Sequence, residues 1–131
     1  MLEPPDLTDP SERERLSGPA LRGFFSIMAR WGVRDADARA LLGGVTNGPY
    51  YQLKSNPDRV LDVDRLTRVS LLVGIFKALH VLHSESLADR WVQTPNTNRL
   101  FGGAPPLDYM LRGGLPGMLT VRRLLDARRA G

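Results

Sequence analysis

Between Asp62 and Ser84 apolar side chains recur at the three-and-four spacing of a helix. Leu66, Val69, Leu72, Val73, Phe76, Leu79 and Leu82 fall on one wide face, with Arg65, Arg68 and Lys77 pointing elsewhere. A stripe of that breadth cannot stay in water, so the chain must lay other helices over it. This predicts an all-α, compact helical bundle with the 62–84 helix as its spine; the same breadth also suits a homodimer seam. Gly74, in mid-helix, costs about 1 kcal/mol against alanine and so marks a place of close helix contact. The most apolar part, Val69 to Leu82, carries Lys77 and His80 and falls short of the ~18 apolar residues of a bilayer span. No membrane contact is expected.

In front of the spine the pattern is weaker. Residues 1–18 contain prolines at 4, 5 and 10 and few apolar side chains, which reads as a mobile leader in which Ser11 to Leu16 forms at most a frayed helix. A first helix is predicted from about Ala20 to Trp31, on the spacing of Leu21, Phe24, Phe25, Ile27, Met28 and Trp31, with Gly32 as its stop. Asp35 is the expected cap of a second helix, small on one side through Ala36, Ala38 and Ala40. Asn47 is the expected cap of a third, with Pro49 in its first turn and an end before Asn56.

Helix, glycine turn, helix over residues 19–60 is the arithmetic of a degenerate helix-turn-helix, whose candidate base readers are Thr46, Asn47, Tyr50, Tyr51, Gln52 and Lys54. Gly48 and Pro49 shorten that reading helix, and it carries one lysine and no arginine. Three short helices are equally a simple way to build a small core.

The charge pattern narrows the function classes. The chain carries +4, and residues 1–20 hold five acids against Arg13 and Arg15, so the rest is more basic than the total suggests. An arginine-rich body can meet phosphates or an acidic protein surface. Cysteine is absent, which excludes disulfides, thiolate nucleophiles and thiolate metal sites. The acidic start lacks the apolar core of a secretory signal, so a cytoplasmic location is expected. His80 and His83 share a helix face but have no third ligand nearby, and no metal site is expected. Asp35 with Asp37, and Asp62 with Asp64, sit where helix capping explains them. Without a phosphate loop or a nucleophile elbow the sequence points to a binding protein with no cofactor, not to an enzyme.

After the spine, Ser84 or Glu85 opens a short helix to Trp91 with Leu87, Ala88 and Trp91 facing inward. Pro95 ends it and pushes Thr94 to extended geometry, Asn96 can bond nearby backbone, and Gly102 and Gly103 permit a reversal. Pro106 then starts a helix through Arg112. A last helix follows Gly113 and Gly114, apolar at Leu115, Met118, Leu119, Val121, Leu124 and Leu125 and flanked by Arg122, Arg123, Arg128 and Arg129.

The run from Ala88 through Trp91, Pro95 and Asn96, then Phe101 to Gly103, Pro106 to Tyr109, Gly113 and Gly114, and the closing apolar helix resembles the Xre/MbcA/ParS antitoxin family. That resemblance implies a helix-turn-helix in front and a toxin-binding domain over residues 61–131. It also implies a partner: a toxin of the RES or related ADP-ribosyltransferase-like type, which uses NAD, and whose entrance the antitoxin covers while often repressing its own promoter. Carried over by position, Trp91, Pro95 and Asn96 fix the joint, Pro106, Leu107 and Tyr109 seat the next helix, and Leu124 to Gly131 approaches the toxin pocket. Guanidinium groups there pair bidentately with carboxylate or phosphate. The competing reading is a free-standing helix-turn-helix DNA-binding transcriptional regulator that homodimerises.

Overall fold

The computed structural model describes residues 4–131 and holds six α-helices and one 3-10 turn, with no strand among the described residues. The first helix, α1, runs Pro10–Trp31 and starts ten residues before the apolar periodicity does. Its start signal is polar. The Asp9 carboxylate accepts from the Ser11 amide at 2.9 Å and Pro10 takes the first helical position, where a missing N–H costs nothing. The expectation of an irregular stretch is therefore corrected over Pro10 to Gly18, while residues 1–3 of that leader lie outside the described residues. Pro19 is accommodated inside the helix. Ser17, fully buried just before it, donates to the Arg13 carbonyl at 2.6 Å and accepts the Leu61 amide at 2.8 Å.

Next come α2 (Asp35–Leu41) and α3 (Asn47–Ser55). Asp35 and Asn47 are not caps, as their spacing suggested, but first helical residues; Arg34 and Thr46 precede them and make no side-chain cap bond. Asp62 does cap α4 (Val63–Leu82), accepting from the Arg65 amide at 2.8 Å. Helix α5 (Glu85–Arg90) continues into the 3-10 turn Trp91–Gln93, and α6 (Pro106–Ala130) closes the chain.

The spine behaves as its stripe requires. Leu66, Val69, Leu72, Ile75 and Leu79 of α4 are buried, most extensively against α6 and next against α1. Met110, Met118, Val121 and Leu125 of α6 are fully buried in return. At about 1.5–3 kcal/mol for each such side chain, α6 is an integral wall of the core. Gly74 faces it: a Cβ there would lie 1.4 Å from Nη1 of Arg122, so the glycine leaves a notch in which that guanidinium rests. Leu87 is the exception among the expected inward residues. It is 53% exposed, because the short α5 turns Ala88 to the core instead.

The two predicted C-terminal helices are the two legs of α6, broken at Gly114, whose φ of 60° and ψ of −144° lie outside helical space. Only glycine reaches that region without strain. Pro116 restarts the helix, and Gly117 packs so close that a Cβ would stand 3.2 Å from the Tyr109 carbonyl oxygen. The result is an elbow. Gly114→Ala is expected to destabilise the fold by about 1–3 kcal/mol, whereas Gly113→Ala, with open space around it, should be neutral or stabilise by up to about 1 kcal/mol. Paired denaturant titrations of the two variants check this.

Candidate functional site

The segment between α5 and α6 is held by a closed set of bonds. Thr94 is extended, as the following proline demands, and its hydroxyl donates to the Arg90 carbonyl at 2.7 Å. Asn96 donates its amide to the Ala104 carbonyl at 3.2 Å and accepts the Gly103 amide at 3.1 Å, tying the loop's ends. Its side chain accepts from the Asn98 amide at 2.9 Å, the backbone bond expected of it, and Asn98 repeats the device on Leu100. Gly102 and Gly103 take positive φ at the reversal.

Over this loop Trp91, Phe101 and Tyr109 stack edge-to-face, at centroid distances of 5.8 and 5.7 Å. Pro106 and Leu107 are buried where α6 seats, Trp91, Asn96 and Tyr109 are half-buried, and Pro95 is exposed. Phe101, 3% exposed, entered the sequence reading only as part of the resemblance and was given no role; its signal was one aromatic in an otherwise polar, glycine-rich turn. Phe101→Ala is expected to cost about 3–5 kcal/mol, read as a lowered unfolding midpoint, because the loop closes around that ring.

A second knot holds α5 in place. The Arg30 guanidinium donates to Glu85 at 2.9 Å and Asp89 at 3.0 Å and lies 5.0 Å from the Phe76 ring centroid. His80 Nδ1 is 2.9 Å from the Phe76 carbonyl oxygen, which requires the hydrogen on that nitrogen, and Nε2 faces Asp89 at 3.3 Å. His83 takes no part in this network. Gln93 adds a tie by donating to the carbonyls of Trp31 and Gly32 at 3.1 and 2.9 Å, which closes the end of α1.

At the other end of the molecule the candidate base readers divide. Thr46, Asn47 and Gln52 are exposed, while Tyr50 is fully buried. The Tyr50 and Tyr51 hydroxyls and the Lys54 ammonium all donate to the Asp35 carboxylate, at 2.8, 3.0 and 3.0 Å. Asp35 thus ties α3 to α2, while α3 rests its backbone against α1. These bonds, the one from Tyr50 foremost, hold the Asp35 carboxyl below its ordinary value of 3.8. Burial, and then the bond to Asp35, push the Tyr50 phenol up. A carboxyl depressed by folding stabilises above its unfolded pKa and ceases to do so as pH falls through the folded value. The stability difference between the native chain and Asp35→Asn is therefore expected to be constant above pH 3.8 and to shrink below it, as melting curves across acid pH will show.

Charge is distributed unevenly. Residues 1–60 hold eight basic and eight acidic side chains, residues 61–96 four of each, and residues 97–131 six arginines against two aspartates, so the whole excess of +4 sits at the C-terminal end. The basic residues in front are largely engaged, in pairs such as Arg34 with Asp37, Lys54 with Asp35, Arg65 with Asp62 and Arg68 with Asp64. Arg122 is engaged too, on Asp126 at 2.9 Å. Arg99, Arg112, Arg123, Arg128 and Arg129 are exposed and have no carboxylate at ion-pair distance among the described residues.

Within the segment Leu124 to Gly131, Leu124 is half-buried and Leu125 fully buried, and exposure is continuous only from Ala127 onward. Among the described residues no helix is long and apolar enough to cross a membrane, and no group of three or more His, Asp or Glu is placed to hold a metal ion.

Comparison with known proteins bears on this end of the chain. Residues 77–131, from late α4 through α5, the closed loop and both legs of α6, match the family model of the antitoxin Xre/MbcA/ParS C-terminal toxin-binding domain. No curated protein matches the chain. The match makes this segment similar to the toxin-binding domain of such antitoxins.

Proposed function

We propose that this chain is the antitoxin of a type II toxin-antitoxin pair, which binds a cognate NAD-using toxin of the RES or ADP-ribosyltransferase-like type and inhibits it by occlusion, without chemistry of its own. The observation that carries the reading is the coincidence of two things in one segment. The toxin-binding match covers 77–131, and the chain's entire excess of positive charge falls inside it. An acidic rim around a partner's pocket is the complement of such a surface, and unpaired arginines can meet it without first giving up an internal partner.

The plug is shorter than the sequence suggested. Leu125 belongs to the core, so the part available to enter a pocket is Ala127 to Gly131 with Arg128 and Arg129. Unwound, such a five-residue stretch reaches roughly 17 Å, enough to pass a pocket rim. Repression of the chain's own promoter would fall to the exposed Thr46, Asn47, Tyr51 and Gln52, and Lys54, the one cation of α3, is paired with Asp35, which gives that helix little non-specific attraction for DNA.

Co-expression with the toxin from the adjacent reading frame is expected to restore growth and cellular NAD. A chain ending at Asp126, which keeps Leu125 and the Arg122 pair, should bind the toxin and fail to protect. Full protection by that shortened chain would remove the plug from the reading. Binding should also weaken as salt rises, since the unpaired arginines are exposed and screened.

A further inference from the structure

The elbow in α6 opens a cleft of about 460 Å³ between the helix's two legs. Tyr109, Arg112 and Gly113 line it from the leg before Gly114, Pro116 and Thr120 from the leg after it, and Leu100 from the loop. Its wall is part apolar, and Arg112 is exposed beside it. No hydrogen bond or ion pair within the chain engages the Arg112 guanidinium or the Tyr109 hydroxyl among the described residues. The shape is set rigidly, by the Gly114 backbone on one side and by the approach of Gly117 to the Tyr109 carbonyl on the other. An arginine over an apolar floor in a preformed cleft is suited to one acidic side chain with an apolar neighbour.

We propose that this cleft is an anchoring site, distinct from the terminal plug, for an acidic segment of the toxin: a carboxylate pairs with Arg112 while the adjoining apolar side chain lies between Leu100, Tyr109 and Pro116. The proposal rests on the antitoxin reading and goes beyond it by dividing attachment from inhibition. Arg128 stands about 20 Å along the second leg from the elbow at 1.5 Å per residue, so the two contacts are too far apart to be one. A nucleic acid backbone is the poorer fit. It needs several cations in a row, and the cleft offers one beside apolar walls.

The test measures the affinity of the purified toxin for the full chain and its variants by calorimetry, with inhibition of NAD consumption read in parallel. Arg112→Glu is expected to weaken binding on the order of tenfold or more, with the helical spectrum and melting temperature unchanged. Thr120→Trp, which fills the cleft from the opposite leg, should lose binding similarly, and Arg112→Lys should fall between. The chain ending at Asp126 should keep its affinity and lose inhibition. Native affinity in both Arg112→Glu and Thr120→Trp overturns the cleft alone; absence of toxin binding by the unaltered chain overturns the antitoxin reading with it. Duplex DNA binding that Arg112→Glu abolishes, with toxin binding intact, assigns the cleft to nucleic acid and also overturns the proposal.

Discussion

The packing of α6 on α4 is the contact on which the rest of this structure depends. Leu72, Ile75 and Leu79 from one side and Met118, Val121 and Leu125 from the other are all fully buried. The surfaces meet closely because Gly74 removes a side chain where the Arg122 guanidinium has to lie, and Asp126 one turn on takes two of its hydrogen-bond contacts. Arg122 therefore works as a key in a notch, at a position where the sequence alone offered it as a partner contact. The same packing takes Leu125 into the core and half-buries Leu124 and Asp126, which leaves Ala127 to Gly131 as the exposed end of the helix.

That wall would be of little use without a fixed entry into it. The chain leaves α5 through a 3-10 turn, is bonded end to end across Asn96, Gly103 and Ala104, and carries Phe101 inward between Trp91 and Tyr109. Each device is local, yet together they set the angle at which α6 begins. The break at Gly114 then redirects it within the same helix. A partner docking across both legs, as proposed, would meet a surface already fixed by the backbone, and such preorganisation lowers the ordering cost of binding. The knot of Arg30, Asp89, Glu85, His80 and Phe76 serves the same end by fastening α5 to α1 and α4.

The front half differs in character. Arg15, Arg22, Arg34 and Lys54 pair with carboxylates of the same half, and Tyr50, the middle of the sequence-proposed reading helix, is spent on the core and on Asp35. Surface ion pairs contribute only about 0–1 kcal/mol each, so they do not hold this half together; Leu21, Phe24, Leu41 and Leu42 do that. What the pairs do is neutralise the surface. The C-terminal end keeps an excess of six arginines over two aspartates.

From residue order alone the all-α class, the α4 spine, the cap at Asp62 and the turn at Asn96 to Gly103 were legible, because helical periodicity, proline, glycine and a capping carboxylate act over a few neighbouring positions; the likeness of the C-terminal end to a toxin-binding domain was legible as a resemblance. The start of α1 at Pro10 was missed for a related reason: its signal is a polar cap and a proline, without an apolar stripe. Which arginines are held and which are available, why Leu125 is core while Leu87 is not, and the cleft at the Gly114 elbow emerged only with the tertiary structure. Those depend on which helix lies against which, and two side chains separated by dozens of residues carry no mark in the sequence that they will share a notch, a carboxylate or an empty space.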